Sequence, residues 1–288
     1  MKDFVALARP AHWVKNFFVL APAFFVPRIW SEDKLVADLG LAFLAFCLAA
    51  SAIYVLNDLI DRDRDRHHPT KLSRPLARGA VSPTAAIVYA LALATASAAI
   101  AWRLPQMFGA LLLAYALLNV AYSTWLKNVP IVDVLAIALG FVFRVDGGAF
   151  AIGVTPTAWI TIVAGLLALF LALAKRRDDV VKSIGVAHRP ALDGYSKPFL
   201  DAAIGVVLAA LLISYAIYTA DPHLAERLGT DKAYVTIPSV VLGILRYLQI
   251  AMVDEASGSP VDVILRDRLM QIACASWLAI FGTLLYLR

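Results

Sequence analysis

Along this chain apolar residues come in long blocks, and polar residues collect in the gaps between them. About 20 residues cross the roughly 30 Å hydrocarbon core of a bilayer as a helix. Blocks of about that length recur at 13–28, 35–57, 83–102, 106–123, 129–153, 156–174, 199–220, 233–252 and 270–287. The pattern predicts an all-α polytopic protein, a bundle of about nine transmembrane helices seated in the lipid bilayer. The first block is short and interrupted by Pro22 and Pro27. A buried soluble core would need polar outer faces, which these blocks lack.

Charge placement sets the orientation. With the N-terminus on side one, eighteen of the 26 lysines and arginines fall on that side and six on the other. The excess marks side one as cytoplasmic. The connections after the second, sixth and eighth blocks are long and charged, and all lie on this side. Arg144 and Arg246 alone remain within blocks, and Arg144 could pair with Asp146 inside the bundle. A transporter would place more ionisable groups near mid-membrane.

Composition agrees: of 288 residues 61% are hydrophobic and 16% charged, and mean hydropathy is +0.76. No charged stretch is long enough to fold alone, so residues 1–288 are expected to form a single transmembrane domain. The net charge of +5 comes without a soluble basic domain or an aromatic-interleaved arm. It therefore argues against a nucleic-acid partner and for topology and anionic substrates. Cys47 and Cys274 lie in apolar blocks and read as buried thiols rather than a disulfide. The first block lacks an A-x-A cleavage site and is expected to be retained.

The candidate chemistry begins where the second block ends. Asn57, Asp58, Asp61 and Asp65 fall within one stripe about 100° wide if the helix continues, while Asp63 points elsewhere. Carboxylates crowded on one face need a cation. Mg²⁺ suits them as a hard ion that takes one or two carboxylates, substrate phosphate oxygens and water. The plain alternative is a solvated helix end, but Arg62, Arg64 and Arg66 fall off the stripe and would not neutralise it. Downstream, Lys71, Arg74 and Arg78 are candidates for phosphate pairing. His67 and His68 read as exposed loop histidines.

The spacing Asn57-Asp58-x-x-Asp61-x-x-x-Asp65 resembles the signature of UbiA-type membrane transferases, as do Arg9-Pro10-x-x-Trp13-Val14-Lys15-Asn16, Arg74-Pro75-Leu76-x-x-Gly79 and Tyr122-Ser123-x-x-Leu126-Lys127. Where aromatic prenyltransferases of that superfamily carry a second D-x-x-x-D motif, this chain has Lys175-Arg176-Arg177-Asp178-Asp179. That segment resembles the decaprenyl-phosphate phosphoribosyltransferase branch. His188-Arg189-Pro190, Tyr195-Ser196, Leu245-Arg246-Tyr247 and Leu265-Arg266-Asp267-Arg268 resemble it too. The adjacent Asp178 and Asp179 depart from that branch's pattern and keep a prenyltransferase reading open.

The resemblance implies a Mg²⁺-dependent transfer of 5-phosphoribose from phosphoribosyl pyrophosphate to a polyprenyl phosphate lipid, with release of pyrophosphate. Asp58, Asp61 and Asp65 would hold the metal. Asn57 would orient a carboxylate or the ribose. Lys15, Lys71, Arg74, Lys127, Lys175, Arg176, Arg246 and Arg266 would meet phosphates, and Tyr122 and Tyr195 would offer hydroxyls. The family implies a bacterial inner membrane with the active site facing the cytoplasm. Two other readings remain: transfer of a prenyl group from its diphosphate, and a transporter without chemistry. The sequence leaves a homo-oligomer open.

Overall fold

The computed structural model describes residues 2–67, 71–182, 190–254 and 260–287, and among them the chain is helical without strands. The α-helices are α1 (Lys2–Ala8), α2 (Ala21–Phe25), α3 (Asp33–Ile60), α4 (Arg62–Asp65), α5 (Pro83–Ala101), α6 (Gln106–Thr124), α7 (Val132–Ala151), α8 (Ala158–Val181), α9 (Lys197–Thr219), α10 (Pro222–Leu228), α11 (Ile237–Met252), α12 (Pro260–Arg266) and α13 (Arg268–Tyr286). Eight of the described helices are long and apolar enough to cross a membrane. This is a multi-pass integral membrane protein. Helix starts follow the sequence. Ser82, Thr157, Ser196 and Asp267 each accept a bond from the backbone N–H three residues on, at the heads of α5, α8, α9 and α13. Each cap satisfies one of the four N–H groups a helix leaves open.

The first expected crossing is built differently from the other eight. Pro10, Pro22 and Pro27 each open a new short element: a 3₁₀ helix Pro10–Leu20, then α2, then a 3₁₀ helix Pro27–Ser31. A proline inside an α-helix removes a ladder bond and clashes with the preceding turn. The start of the segment still runs antiparallel to α3: Arg9 pairs with Asp58, Trp13 bonds Ser51, Asn16 bonds Cys47, and Phe17 lies tilted against Phe43. A 3₁₀ helix rises about 2.0 Å per residue, which lets the short segment cover this distance.

The chain packs as two compact units, Met1–Leu126 with Val142–Pro156, and Lys127–Phe141 with Thr157–Arg288. Helix α7 gives its first half to the second unit and its second half to the first. In the first unit, Val19, Phe46, Phe108, Tyr115 and Ile152 form the centre of the core. Gly148 lets the N-terminal crossing approach, because a Cβ there would lie 1.9 Å from the Val19 carbonyl oxygen. A second cluster of Leu7, Val55, Leu76, Val81 and Ala86 fastens α1 and the 75–81 turn to the end of α3. In the second unit, Phe170, Leu173, Leu200, Ile204 and Tyr247 pack together, with Phe170 edge-on to Tyr247. Large apolar side chains such as Val88, Leu91, Val206 and Ile213 stay exposed, as helix faces turned to lipid require.

Arg144 is buried midway along α7. It donates to Asn16 Oδ1 and Tyr115 Oη at 2.8 Å each and lies over the Tyr115 ring. These contacts give the buried guanidinium neutral acceptors and an aromatic face.

Candidate active site

Helix α3 leaves its apolar run at Asn57 and carries the aspartates. The main-chain ladder continues past its last residue: Asp61 N–H donates to Asn57 O at 2.9 Å and Asp65 N–H to Asp61 O at 2.8 Å. The four positions therefore keep helical spacing. Asp58 and Asp65 have side chains 2% exposed, Asp61 14% and Asp63 88%. Asn57 is half-buried in the last turn of α3.

Two buried carboxylates cost far too much free energy to stand unpaired. Arg74 answers both: its Nη1 lies 3.0 Å from Asp58 Oδ1 and 2.6 Å from Asp65 Oδ2. Lys71 Nζ is 3.8 Å from Asp65 Oδ1. The turn that follows holds Arg74 in place. Leu76 and Val81 are buried, Ala80 N–H donates to Pro75 O, and Gly79 supplies the left-handed conformation at φ 77° that lets the chain reverse. Arg66 adds a tie to Ala77 O at 3.3 Å. Arg64 approaches Asp61 loosely, at 3.7 Å, so the arginines between the aspartates are not wholly off the stripe.

Arg9 is the site residue that sequence reasoning left out. It pairs with Asp58 and lies over the Tyr54 ring at 5.3 Å. Its backbone is left-handed, φ 51° and ψ 58°, unusual for a non-glycine residue. The signal was present as an arginine before Pro10 in the N-terminal motif. Lys15, by contrast, stands level with α3 residues 47–51, between the Trp13–Ser51 and Asn16–Cys47 bonds. That is seven to eleven residues before Asp58, or about 10–16 Å at the helical rise. Lys15, expected to meet phosphate, is exposed at that level.

Hard oxygen donors on one helical face suit a divalent cation such as Mg²⁺. Among the described residues, no three His, Cys, Asp or Glu side chains gather into a ready-made metal cage. Asp65 Oδ1 is buried and accepts no hydrogen bond, which is the kind of atom a cation would take up. The set fits an ion held by one or two carboxylates and completed by substrate phosphate oxygens, rather than one enclosed by protein alone.

In the second unit the end of α8 projects seven residues beyond its expected span and carries the basic segment. Lys175 is exposed there, but Arg176 and Arg177 are only 2% and 1% exposed. Arg176 Nε donates to Asp133 Oδ2 at 2.6 Å and Nη1 to Asp179 Oδ2 at 3.1 Å. Tyr195 donates to Asp133 Oδ1 at 2.5 Å and accepts the Ile131 N–H at 2.6 Å. Burial, and then the bond to Asp133, hold the Tyr195 phenol well above its usual range. Arg177 bonds Asp201 and the Ala251 carbonyl, each at 2.5 Å, and Asp178 accepts from Lys182 at 2.9 Å.

Two expectations change here. Arg176 is an internal tie, because its side chain is 2% exposed and two carboxylates hold its guanidinium. Tyr195 supports the backbone at Ile131. Asp178 pairs with Lys182 and Asp179 with Arg176. Arg246, expected to bind substrate, joins α11 to the head of α13 through Asp267, at 2.7 and 3.1 Å, and also bonds Gln249. Tyr122 and Lys127 are half-buried near the end of α6, and Arg266 is exposed at the end of α12. His68, His188, Arg189 and the side chains of Pro190 and Asp262 lie outside the described residues.

Residues 17–273 match the model of the UbiA prenyltransferase family. The chain belongs to that family. Among curated UbiA-type relatives, it is 31% identical to a decaprenyl-phosphate phosphoribosyltransferase of Mycolicibacterium smegmatis, over 98% of this chain and 92% of the relative. It is 30% identical to the enzyme of that name from Corynebacterium glutamicum, over 93% and 82%. Its fold is that of a UbiA homolog from Archaeoglobus fulgidus solved with GPP and Mg²⁺, at a TM-score of 0.72, 22% identity and 98% and 99% coverage. This UbiA chain is a transferase with an all-helical membrane fold, and its branch is that of the decaprenyl-phosphate phosphoribosyltransferases.

Proposed function

We propose that this transferase moves the 5-phosphoribosyl group of phosphoribosyl pyrophosphate onto a polyprenyl phosphate, at the cytoplasmic face of a bacterial inner membrane. An oxygen of the lipid phosphate attacks C1 of the ribose, the C1–O bond to pyrophosphate breaks, and pyrophosphate leaves. The acceptor oxygen is already anionic at neutral pH, so the step needs no general base. The observation that carries the reading is the near-full-length likeness to relatives bearing one activity name, on a chain whose second half has a basic segment where a second acidic motif would serve a prenyl donor.

The residues divide the work by charge. Asp58, Asp65 and Asp61 would hold Mg²⁺, which when bound supplies Lewis-acid stabilisation of the leaving pyrophosphate. Arg9 and Arg74, now paired with those carboxylates, are near enough to meet phosphate oxygens at the same place. In the first unit Lys71 adds a cation, and Asn57 and Tyr122 add neutral contacts; in the second unit Lys127, Lys175 and Arg266 are the cations for phosphate. Binding two polyanions side by side is mainly a problem of charge and position.

A prenyl-transfer reading has its own support: a digeranylgeranylglyceryl phosphate synthase of Methanothrix thermoacetophila is 30% identical over 76% of this chain. Titration calorimetry separates the two. With Mg²⁺ present, the purified protein should bind phosphoribosyl pyrophosphate. Binding of a prenyl diphosphate, with none of phosphoribosyl pyrophosphate, would replace the first reading by the second.

A further inference from the structure

Among the described residues Asp133 is the most enclosed acid of the second unit, 0% exposed, yet it lies in no motif. It opens α7 one residue after the helix begins, and each carboxylate oxygen has its own task. Oδ2 accepts from Arg176 on α8, and Oδ1 accepts from Tyr195, just ahead of α9. The Tyr195 hydroxyl in turn accepts the N–H of Ile131. Ile131 is β-branched and left-handed, with φ 70°, a backbone state that costs free energy unless its surroundings enforce it. The neighbouring contact is equally tight, because a Cβ on Gly194 would lie 2.2 Å from the Pro130 ring.

One buried carboxylate therefore ties three cytoplasmic pieces together: the 127–131 connection, the end of α8 and the 190–196 connection. Two lysines expected to meet phosphate ride on these pieces. Lys127 lies four residues before the strained Ile131, and Lys175 adjoins Arg176. We propose that Asp133 is a positioning residue for donor binding, presetting Lys127 and Lys175 as a pair through Tyr195 and Arg176. The inference rests on the phosphoribosyl-transfer reading, because a phosphate-bearing donor is what the two lysines would hold. The raised titration of Tyr195 supports it: the phenol stays a donor to Asp133 across the working pH range.

The role has a kinetic signature that loss of fold would not give. Asp133→Asn keeps the side chain's shape but removes the charge that orients Arg176. Donor KM should rise about tenfold, equivalent to about 1.4 kcal/mol, with kcat and acceptor KM within about twofold. The same change made in a Lys127→Ala, Lys175→Ala background should have little further effect on donor KM, since residues acting through one another are non-additive. If Asp133→Asn does not accumulate as folded protein, Tyr195→Phe serves, since it removes only the hydroxyl joining Asp133 to Ile131. It should raise donor KM in the same selective way. Unchanged donor KM in either folded variant, equal rises for donor and acceptor, or full additivity with the lysine changes would overturn the inference. Calorimetry on the unaltered protein keeps the two claims apart: if it binds no phosphoribosyl pyrophosphate, the functional reading fails. If it binds and the variants bind equally well, the positioning role fails alone.

Discussion

Replacing Arg74 by alanine puts the account of the aspartate site at risk. Arg74 Nη1 sits 3.0 Å from Asp58 and 2.6 Å from Asp65, both with side chains 2% exposed. Taking one partner from a buried ion pair costs about 3–5 kcal/mol, because the charge left behind is stranded. Here Arg9 still pairs with Asp58, Lys71 remains 3.8 Å from Asp65, and Arg74 itself is 24% exposed, so water can enter. The net loss should be smaller, about 2 kcal/mol. For a chain of this size that corresponds to a melting temperature lower by about 4–8 °C. The assay is thermal unfolding of the detergent-purified protein, followed by tryptophan fluorescence and size exclusion. A second variant locates the cause: adding Asp65→Asn to Arg74→Ala removes the stranded charge and should restore part of the loss. A single variant melting within about 1 °C of the unaltered protein would refute the claim that Arg74 neutralises a buried acid pair. So would a double variant less stable than the single.

Asp58→Asn should lower turnover at saturating Mg²⁺ by at least about a hundredfold, because a metal-bound carboxylate supports several kcal/mol of charge stabilisation; near-normal steady-state rates would remove Asp58 from the metal set. Gly148→Ala should prevent accumulation of folded protein, since its Cβ would meet the Val19 carbonyl at 1.9 Å; a normal size-exclusion profile would contradict the close crossing. Asp267 is held below the usual carboxylate range by Arg246 and by the Met270 N–H it caps. Its contribution is therefore full above the unfolded-chain value near 4 and is lost as pH falls through the lower folded value. Melting curves between about pH 5 and 3 should show Asp267→Asn with a shallower acid loss than the unaltered protein, and parallel curves would count against it.

What the sequence made legible follows from periodicity and charge. Eight crossings are long apolar blocks, and the aspartate stripe needs only helical spacing to put Asp58 and Asp65 on one face. The form of the first crossing was hidden because proline positions show where an α-helix cannot continue, but not that a 3₁₀ helix takes its place. Arg9 was hidden because it meets Asp58 from 49 residues away, and no local pattern records that distance. Arg176 misled for the same reason. A basic residue at a helix end reads as a phosphate contact until its acceptor, Asp133, is seen 43 residues earlier in the chain. Lys175 beside it is exposed, so two adjacent cations of one motif have opposite environments, which the helix rotation decides.

The most direct test of the proposed chemistry is a transfer assay on the purified protein with phosphoribosyl pyrophosphate labelled in the ribose, a polyprenyl phosphate and Mg²⁺. The account predicts label in a lipid-extractable product, one pyrophosphate released per ribose transferred, and none of either when the metal is chelated. No labelled lipid under these conditions, together with transfer from a labelled prenyl diphosphate to an acceptor, would contradict it.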